Sequence, residues 1–185
     1  VGHRVRRCGT SGKLYTSSLV AYDRQTRALW AHFAGEAVAG ELTGTNLTAR
    51  PSAIVSWDAF RAAHPDAPVL NRTTGAERDY GSSPYPGYDD VNAPPLLFDD
   101  ETDDRLAAKE RVLGVSEPTD GAAVAITFAE LQSKRVVPMT LGDRSLVALF
   151  SPGTTSALDT EELRDGRDVG AVNVIDPMID GVRYE

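Results

Sequence analysis

Apolar and polar positions near the start of the chain follow the two-residue period of β-strands, broken by polar turns. Residues 13–22 are rich in β-forming side chains, residues 23–26 are polar, and residues 27–33 alternate partially. Two such runs on either side of a short polar segment predict an antiparallel hairpin. The next stretch is interrupted by three glycines, which predict bulges or tight turns: Gly35, Gly40 and Gly44.

Two short segments carry helical signals. Ser56 is a favourable N-cap, the apolar residues of 57–64 fall on one helical face, and Pro65 ends the pattern. Residues 127–130 match a capping box, in which a hydroxyl and a carboxylate each satisfy a free backbone N–H. This second helix is expected to run to about Lys134.

The other segments predict strands and loops. Residues 71–95 show no helical or strand period, and residues 99–104 form an acidic connector. The continuous apolar run at 146–150 is typical of a central strand covered on both faces. Further strands are predicted at 110–115, 122–126, 171–175 and 182–185. The pattern as a whole predicts an α+β fold, predominantly β, with antiparallel hairpins in two halves, residues 1–98 and 99–185, packed as one globular unit.

The charge of the chain excludes one class of partner. The 185 residues carry 27 acidic and 19 basic side chains, which gives a net charge of −8. The basic residues cluster only at residues 3–7, too few to neutralise a phosphate backbone, so we expect no nucleic-acid partner. Arginine greatly outnumbers lysine, which fits GC-rich coding or adaptation to high salt.

Compartment signals are sparse. No apolar run approaches 18 residues, so no transmembrane helix is expected, and no signal-peptide pattern is visible. Because the chain begins at Val1, we expect a processed product or a fragment. Cys8 is the single cysteine, so no intrachain disulfide can form, and a partly buried strand position is expected for it.

Several sequence blocks occur in an order that resembles a known family. Residues 9–15 read Gly-Thr-Ser-Gly-Lys-Leu-Tyr, and residues 19–26 read Leu-Val-Ala-Tyr-Asp-Arg-Gln-Thr. Further blocks follow at 29–30, 35–37, 56–57, 64–65, 78–81, 84–85, 104–106 and 109–115. Over residues 8–116 the chain resembles the bacterial and archaeal proteins known as domain of unknown function 3179.

The resemblance implies an extracytoplasmic location but does not indicate a reaction. Members of the family are typically exported or lipid-anchored, and no activity is established for them. Typical members carry an additional His-Glu pair and a Thr-Tyr-Cys-Pro motif, where a metal or redox centre would be expected. This chain has neither feature, so no metal ligand is carried over.

Similar ends of the chain suggest an internal duplication. Residues 2–6 and 180–185 both resemble the same family hairpin. Residues 121–159 would then correspond to the additional family segment, with residues 151–155 standing where the Cys-Pro motif lies. On this hypothesis the second copy has lost the cysteine and kept the fold.

The sequence lacks residues that two common catalytic motifs require. Residues 9–13 resemble the end of a phosphate-binding loop, but Arg7 stands where its first glycine is required and Leu14 where a magnesium ligand is required. No Gly-x-Ser-x-Gly elbow is present. His64 before Pro65 is expected to cap a helix end.

One cluster of polar residues is a candidate ion-pair network or ligand pocket. It combines the turn after the first strand with a later polar segment, and its members are Asp23, Arg24, His32, Glu36, Arg78, Asp79 and Tyr80. Structural pairing at the turn is the first interpretation. A pocket beside His32 and Glu36 is the alternative.

Carboxylates on loops raise the question of calcium. Asp89 and Asp90, and then Asp99, Asp100, Asp103 and Asp104, supply the oxygen ligands that calcium prefers, although their spacing matches no EF-hand. A solvated acidic loop is the alternative to a structural calcium ion, and no other cofactor is expected. Asn46 and Asn71 begin glycosylation sequons, which matter only in an exported protein.

Two hypotheses about function remain. The first is an extracytoplasmic binding or structural module of unknown ligand, such as a subunit of a surface assembly that contacts other subunits or copies of itself. The second is an enzyme, or a fragment of one, with a pocket near Asp23, His32 and Tyr80. The sequence does not decide whether the protein is an enzyme.

Overall fold

The computed structural model describes residues 5–48, 50, 52–98, 100–117, 121–179 and 182–183. Strands take up 34% of the chain and helices 10%, so the predicted α+β, predominantly β fold is confirmed. The chain divides into two units: the first comprises residues 1–52 and 94–108, and the second comprises residues 53–93 and 109–185. The predicted division into 1–98 and 99–185 stays a prediction.

The first unit contains a four-stranded antiparallel meander in chain order. Its strands are β1 (Cys8–Tyr15), β2 (Ser18–Asp23), β3 (Leu29–Ala31) and β4 (Glu36–Ala39). In the β2–β3 pair Ala21 lies opposite Trp30, which confirms the hairpin predicted around residues 23–26. The buried apolar side chains of this sheet are Val20, Trp30, Ala31 and Ala37, and Ala28 is buried in the connection between β2 and β3. Cys8 begins a strand, as expected, but the expected partial burial is wrong, because its side chain is exposed.

The predicted strand over residues 13–22 is wrong in one respect, because the structure divides it into two strands. Thr16 and Ser17 form a tight turn with φ of 47° and 62°, and Leu14 pairs with Leu19 across it. Residues 15–19 contain neither glycine nor proline, so no strong turn signal marks this position in the sequence. Positive φ at two successive residues is the geometry of a two-residue hairpin turn.

The second unit holds both α-helices and the remaining strands. The helices are α1 (Trp57–Ala63) and α2 (Phe128–Lys134), with a 3₁₀ turn at Leu163–Asp165. The strands are β5 (Val112–Ser116), β6 (Ala123–Thr127), β7 (Val136–Leu141), β8 (Arg144–Ser151), β9 (Ala171–Ile175), β10 (Met178–Ile179) and β11 (Val182–Arg183). Neither helix of the described residues, at seven residues each, has the length or apolar character needed to span a bilayer.

Both helices begin at the predicted cap residues, although at α2 the structure shows the hydroxyl bond of the predicted capping box and pairs the Glu130 carboxylate with Lys134 instead. The hydroxyl of Ser56 accepts a hydrogen bond from the backbone N–H of Ala59, and that of Thr127 accepts one from Glu130. These bonds satisfy N–H groups that have no partner within the helix. The segment between α1 and β5 contains no helix or strand among its described residues, as predicted for 71–95.

The strands of the second unit form three antiparallel sheets. Their orders are β5-β6, β7-β8-β9 and β10-β11. β8 is central, as predicted, but the burial of its residues alternates: Leu146, Ala148 and Phe150 are buried, whereas the residues between them are only partly covered. The edge strand β7 contains Pro138, which an edge position tolerates because proline has no N–H to donate.

The core of the second unit lies where α2 covers β8. Leu131 is fully buried and packs with Ala148 and Phe150. The Phe150 ring meets Phe128 edge-on at 6.3 Å between centroids. Gly170, at φ +70°, lies against the same ring so closely that a Cβ there would come within 2.1 Å of Phe150 Cζ. A side chain at position 170 would therefore displace the core ring.

The predicted duplication lies partly outside the described residues. Of the similar ends on which it rests, residues 2–4, 180–181 and 184–185 lie outside the described residues. The described part of the last segment forms the β10–β11 hairpin, in which Met178 pairs with Arg183. The duplication stays a prediction.

Candidate functional site

Asp23, at the end of β2, is a fully buried carboxylate in the first unit. Its Oδ1 accepts hydrogen bonds from the backbone N–H groups of Gln25 at 3.1 Å and Thr26 at 2.6 Å. Its Oδ2 accepts from the Thr26 hydroxyl and from Trp30 Nε1, the latter at 3.3 Å. Arg6 Nη1 lies 3.4 Å from Oδ1, so Asp23 forms an ion pair with Arg6.

Hydrogen bonding decides the ionisation of Asp23. Burial by itself raises the pKa of this carboxyl group, because it disfavours the charged form. The hydrogen bonds from Thr26 and Trp30, together with the charge of Arg6, outweigh burial and lower the pKa from 3.8 to about 2. The carboxylate therefore stays charged at neutral pH, with its oxygens engaged in holding the β2–β3 turn.

The lowered pKa predicts acid sensitivity of the first unit. A charged Asp23 stabilises the folded state above the ordinary pKa of 3.8, and this stabilisation is lost as the pH falls through about 2. We expect Asp23→Asn to remove most of the fall in melting temperature between pH 4 and pH 2. In a Trp57→Phe background Trp30 is the single tryptophan, so its fluorescence measures the melting temperature of the first unit at each pH.

Asp103→Asn is the control for this pH experiment. The hydrogen bonds and charge of Arg105 lower the pKa of Asp103 to about 2 as well, but its side chain is 57% exposed. Solvent screens such a pair, so this variant is expected to keep most of the pH dependence. Equal pH dependence in Asp23→Asn and the parent protein would contradict the assignment.

The other predicted site residues of the first unit lie apart from this network. Arg24 is exposed, with its guanidinium 5.5 Å from the Tyr22 ring centroid. His32 is also exposed, and its backbone N–H donates to the carbonyl of Leu19. Glu36 is half-buried at the start of β4. None of the three contributes a hydrogen bond to Asp23 in the described structure.

Arg78, Asp79 and Tyr80 belong to the second unit and are exposed there. Asp79 Oδ2 accepts a hydrogen bond from the hydroxyl of Ser82 at 3.1 Å. The hydroxyl groups of Tyr80 and Thr74 are 2.6 Å apart. These contacts are local, within six residues along the chain. The pocket that would combine these residues with Asp23 stays a prediction.

The acidic connector makes an ion pair within the described residues. Arg105 forms a forked contact with both carboxylate oxygens of Asp103, with Nε 2.9 Å from each. Asp99 lies outside the described residues, while Asp100 and Asp104 are exposed. In the described ranges no three His, Cys, Asp or Glu side chains converge as a metal site would require. Structural calcium stays a prediction.

Both sequon asparagines are exposed. Asn46 lies at a β-bridge with Glu36, and its side-chain amide donates to the Gly44 carbonyl at 3.4 Å. Asn71 Oδ1 accepts from the backbone N–H of Thr73 at 2.9 Å. Exposure is compatible with modification at either residue, and glycosylation stays a prediction.

The second unit contains a cavity of about 500 Å³ that the sequence did not predict, here called the Asp89 cavity. Its lining combines aromatic, aliphatic, cationic and acidic side chains. The lining residues are Tyr88, Asp89, Val91, Lys109, Glu110, Arg111, Phe128, Ala129, Gln132, Leu158, Arg167, Asp168 and Val169. They come from four separate parts of the sequence, residues 88–91, 109–111, 128–132 and 158–169, so no local motif signals them.

Asp89 anchors one wall of the cavity. Its side chain is 10% exposed, with Arg167 Nη2 at 2.9 Å from Oδ2 and Nη1 at 3.2 Å from Oδ1. The buried hydroxyl of Ser156 also donates to Oδ2. Arg167 is held in turn by Asp159, whose oxygens accept from Nη1 at 2.6 Å and from the backbone N–H at 2.7 Å. Asp89 is therefore an ion-pair residue in this structure.

Two further cations face the cavity. Lys109 Nζ donates to the backbone carbonyl of Tyr88 at 2.6 Å and lies 4.5 Å from the centroid of that ring. The Arg111 guanidinium lies 5.6 Å from the Phe128 ring centroid, within the range of a cation–π contact. Its Nη2 is 4.0 Å from Asp89 Oδ2, and its side chain is 40% exposed.

Asp168 supports the backbone beside the cavity. Its carboxylate accepts hydrogen bonds from the N–H groups of Gly153, Thr154 and Gly170 at 2.8 to 3.1 Å. These bonds, that from Gly153 foremost, lower the pKa of Asp168. The group is therefore charged at neutral pH and engaged in holding two neighbouring turns.

The fold and its two polar centres define an antiparallel, β-rich protein with a buried structural aspartate in one unit and a charged cavity in the other. The chain belongs to the family described as "Protein of unknown function (DUF3179)", whose model matches residues 1–183. The resemblance seen over residues 8–116 is confirmed, and the match extends well beyond it. No curated protein and no solved structure matches this sequence.

Proposed function

We propose that this protein is an extracytoplasmic, non-catalytic binding module whose ligand site is the Asp89 cavity. The observation that carries the proposal is the cavity itself. Its volume of about 500 Å³ falls in the range of small-molecule sites, roughly 300 to 1,000 Å³. Its lining combines apolar surface with charged side chains, so it can contact an apolar ligand body and fix the orientation of a polar group. The extracytoplasmic location rests on the export that the family resemblance implies.

Contacts that hold the lining side chains in place favour a preformed site. The Phe128 ring in the lining packs edge-on against the buried Phe150. The Asp89 carboxylate is fixed by two Arg167 nitrogens and by the Ser156 hydroxyl. Side chains that are already ordered lose little conformational freedom when a ligand binds, which favours binding.

The hydrogen bonds of Asp23 favour binding over catalysis as the function. A general acid or base needs a free position toward its substrate, whereas the Asp23 oxygens already accept bonds from Gln25, Thr26 and Trp30. In the described lining of the Asp89 cavity there is no His, Cys, Ser or Thr. An enzyme with a pocket near Asp23, His32 and Tyr80 remains the alternative hypothesis.

A cavity-filling substitution tests the proposal. Ala129 is exposed on α2 and lines the cavity, so Ala129→Trp is expected to occupy it without disturbing the core. Indole serves as an uncharged probe of ligand size, with a dissociation constant expected at about 1 mM. Saturation-transfer NMR should detect indole on the parent protein and lose most of the signal with Ala129→Trp.

The matched control is Ala76→Trp, at an exposed loop position of the same unit. This variant is expected to retain the indole signal of the parent protein. An unchanged signal in Ala129→Trp would place the probe elsewhere and contradict the proposal. Absence of any signal with the parent protein would contradict it as well.

A further inference from the structure

The acidic groups of the Asp89 cavity are mostly engaged within the protein. Asp89 is neutralised by its forked contact with Arg167 and accepts the Ser156 hydroxyl. Asp168 accepts three backbone N–H groups. Glu110 is then the one acidic side chain of the described lining that makes neither kind of contact.

The cations Lys109 and Arg111 are less fully engaged. Lys109 donates to the uncharged carbonyl of Tyr88, and no carboxylate of the described residues lies within 4.0 Å of its Nζ. The one carboxylate paired with Arg111 among the described residues is Asp89, with 4.0 Å between Nη2 and Oδ2. The charge of Asp89 is already shared with Arg167. The cavity lining therefore has two half-buried positive charges, on Lys109 and Arg111, and one negative charge, on Glu110, that is not held by a contact described above.

This imbalance favours an anionic ligand. A partly desolvated cation is stabilised by an opposite charge at hydrogen-bonding distance, and such charge-assisted bonds are about twice as strong as neutral ones. The planar guanidinium of Arg111 matches the two oxygens of a carboxylate. Lys109, two residues earlier in the chain, supplies a second positive charge to the same cavity.

The apolar part of the lining specifies the rest of the ligand. Phe128 contributes an aromatic ring, and the aliphatic contributions come from Val91, Leu158 and Val169. We infer that the Asp89 cavity binds a small organic carboxylate, with its anionic group at Lys109 and Arg111 and its apolar body against these side chains. The inference rests on the proposed function and adds the chemical class of the ligand.

Two probes of equal shape and different charge test the inference. Phenylacetate carries the carboxylate, and phenylacetamide replaces it with a neutral amide. By isothermal titration calorimetry at low salt, we expect the parent protein to bind phenylacetate about tenfold more tightly than phenylacetamide, as one charge-assisted hydrogen bond would give. Arg111→Gln and Lys109→Gln should each reduce this ratio severalfold, because each removes one positive charge that acts on the carboxylate.

The control variant is Arg164→Gln, which removes an 81% exposed positive charge from the same unit. It should keep the tenfold preference. A circular dichroism spectrum and melting temperature like those of the parent protein show that a variant is folded, and Lys109→Gln provides the test if Arg111→Gln does not fold. Equal binding of the two probes by the parent protein, or an equal loss of preference in Arg164→Gln, would overturn the carboxylate inference and leave the binding function intact. Binding of neither probe, together with no indole signal, would overturn both.

Discussion

Replacing Leu131 by alanine is expected to lower the free energy of unfolding of the second unit by about 3 kcal/mol. The Leu131 side chain is fully buried on α2 and packs on Ala148 and Phe150 of β8. Its removal loses the transfer free energy of the side chain and leaves a cavity in the centre of the core. Urea unfolding followed by circular dichroism measures the change, and amide exchange at Ala148 reports on the same core.

Leu70→Ala is the matched control for this substitution. Leu70 belongs to the same unit, and its side chain is 86% exposed. The same chemical change there is expected to alter the free energy of unfolding by less than about 0.5 kcal/mol. Similar effects of the two substitutions would show that Leu131 does not lie in the core.

Asp23→Ala is expected to lower the melting temperature of the first unit by about 10 °C or more. The substitution leaves the N–H groups of Thr26 and Trp30 buried without their acceptor, and it removes the ion-pair partner of Arg6. A buried donor without a partner costs more than the hydrogen bond gave, because its hydration is not regained. Scanning calorimetry measures the shift.

Two observations make the Asp23 result specific. The indole N–H resonance of Trp30 should move and exchange faster with solvent when its acceptor is lost. Asp104→Ala, at an exposed carboxylate of the same unit, should leave both the melting temperature and this resonance nearly unchanged. An intact Trp30 signal in Asp23→Ala would contradict the network.

The sequence predicted local structure correctly where the interacting groups lie within a few residues of each other. The caps at Ser56 and Thr127 are such cases, since a hydroxyl and an N–H three residues away suffice. The turn at Thr16 and Ser17 was missed because it contains neither glycine nor proline and because its geometry depends on the pairing of both strands. The edge strand containing Pro138 was missed because strand pairing outweighs the poor strand propensity of proline.

The sites divide in the same way. Asp23 was recognised as a site residue because it lies in a short polar turn, but its partner Arg6 is 17 residues away and was not foreseen. The Asp89 cavity depends on contacts over greater separations, such as the 78 residues between Asp89 and Arg167. Neither side chain is unusual in its own segment, so only the fold brings their chemistry together.

The order of segments along the chain restricts how the protein can be divided into fragments. A piece that begins at Lys109 would contain Ser156, Glu161 and Arg167 but would lack residues 82–89. Those earlier residues supply the Ser83 N–H that bonds to the Glu161 carbonyl and the carboxylate of Asp89 that holds Arg167. Such a fragment would leave the Ser156 hydroxyl without its acceptor Asp89 and would leave Arg167 with Asp159 alone. Any truncated form that keeps the cavity must therefore include the loop before Pro94 as well as the strands that follow it.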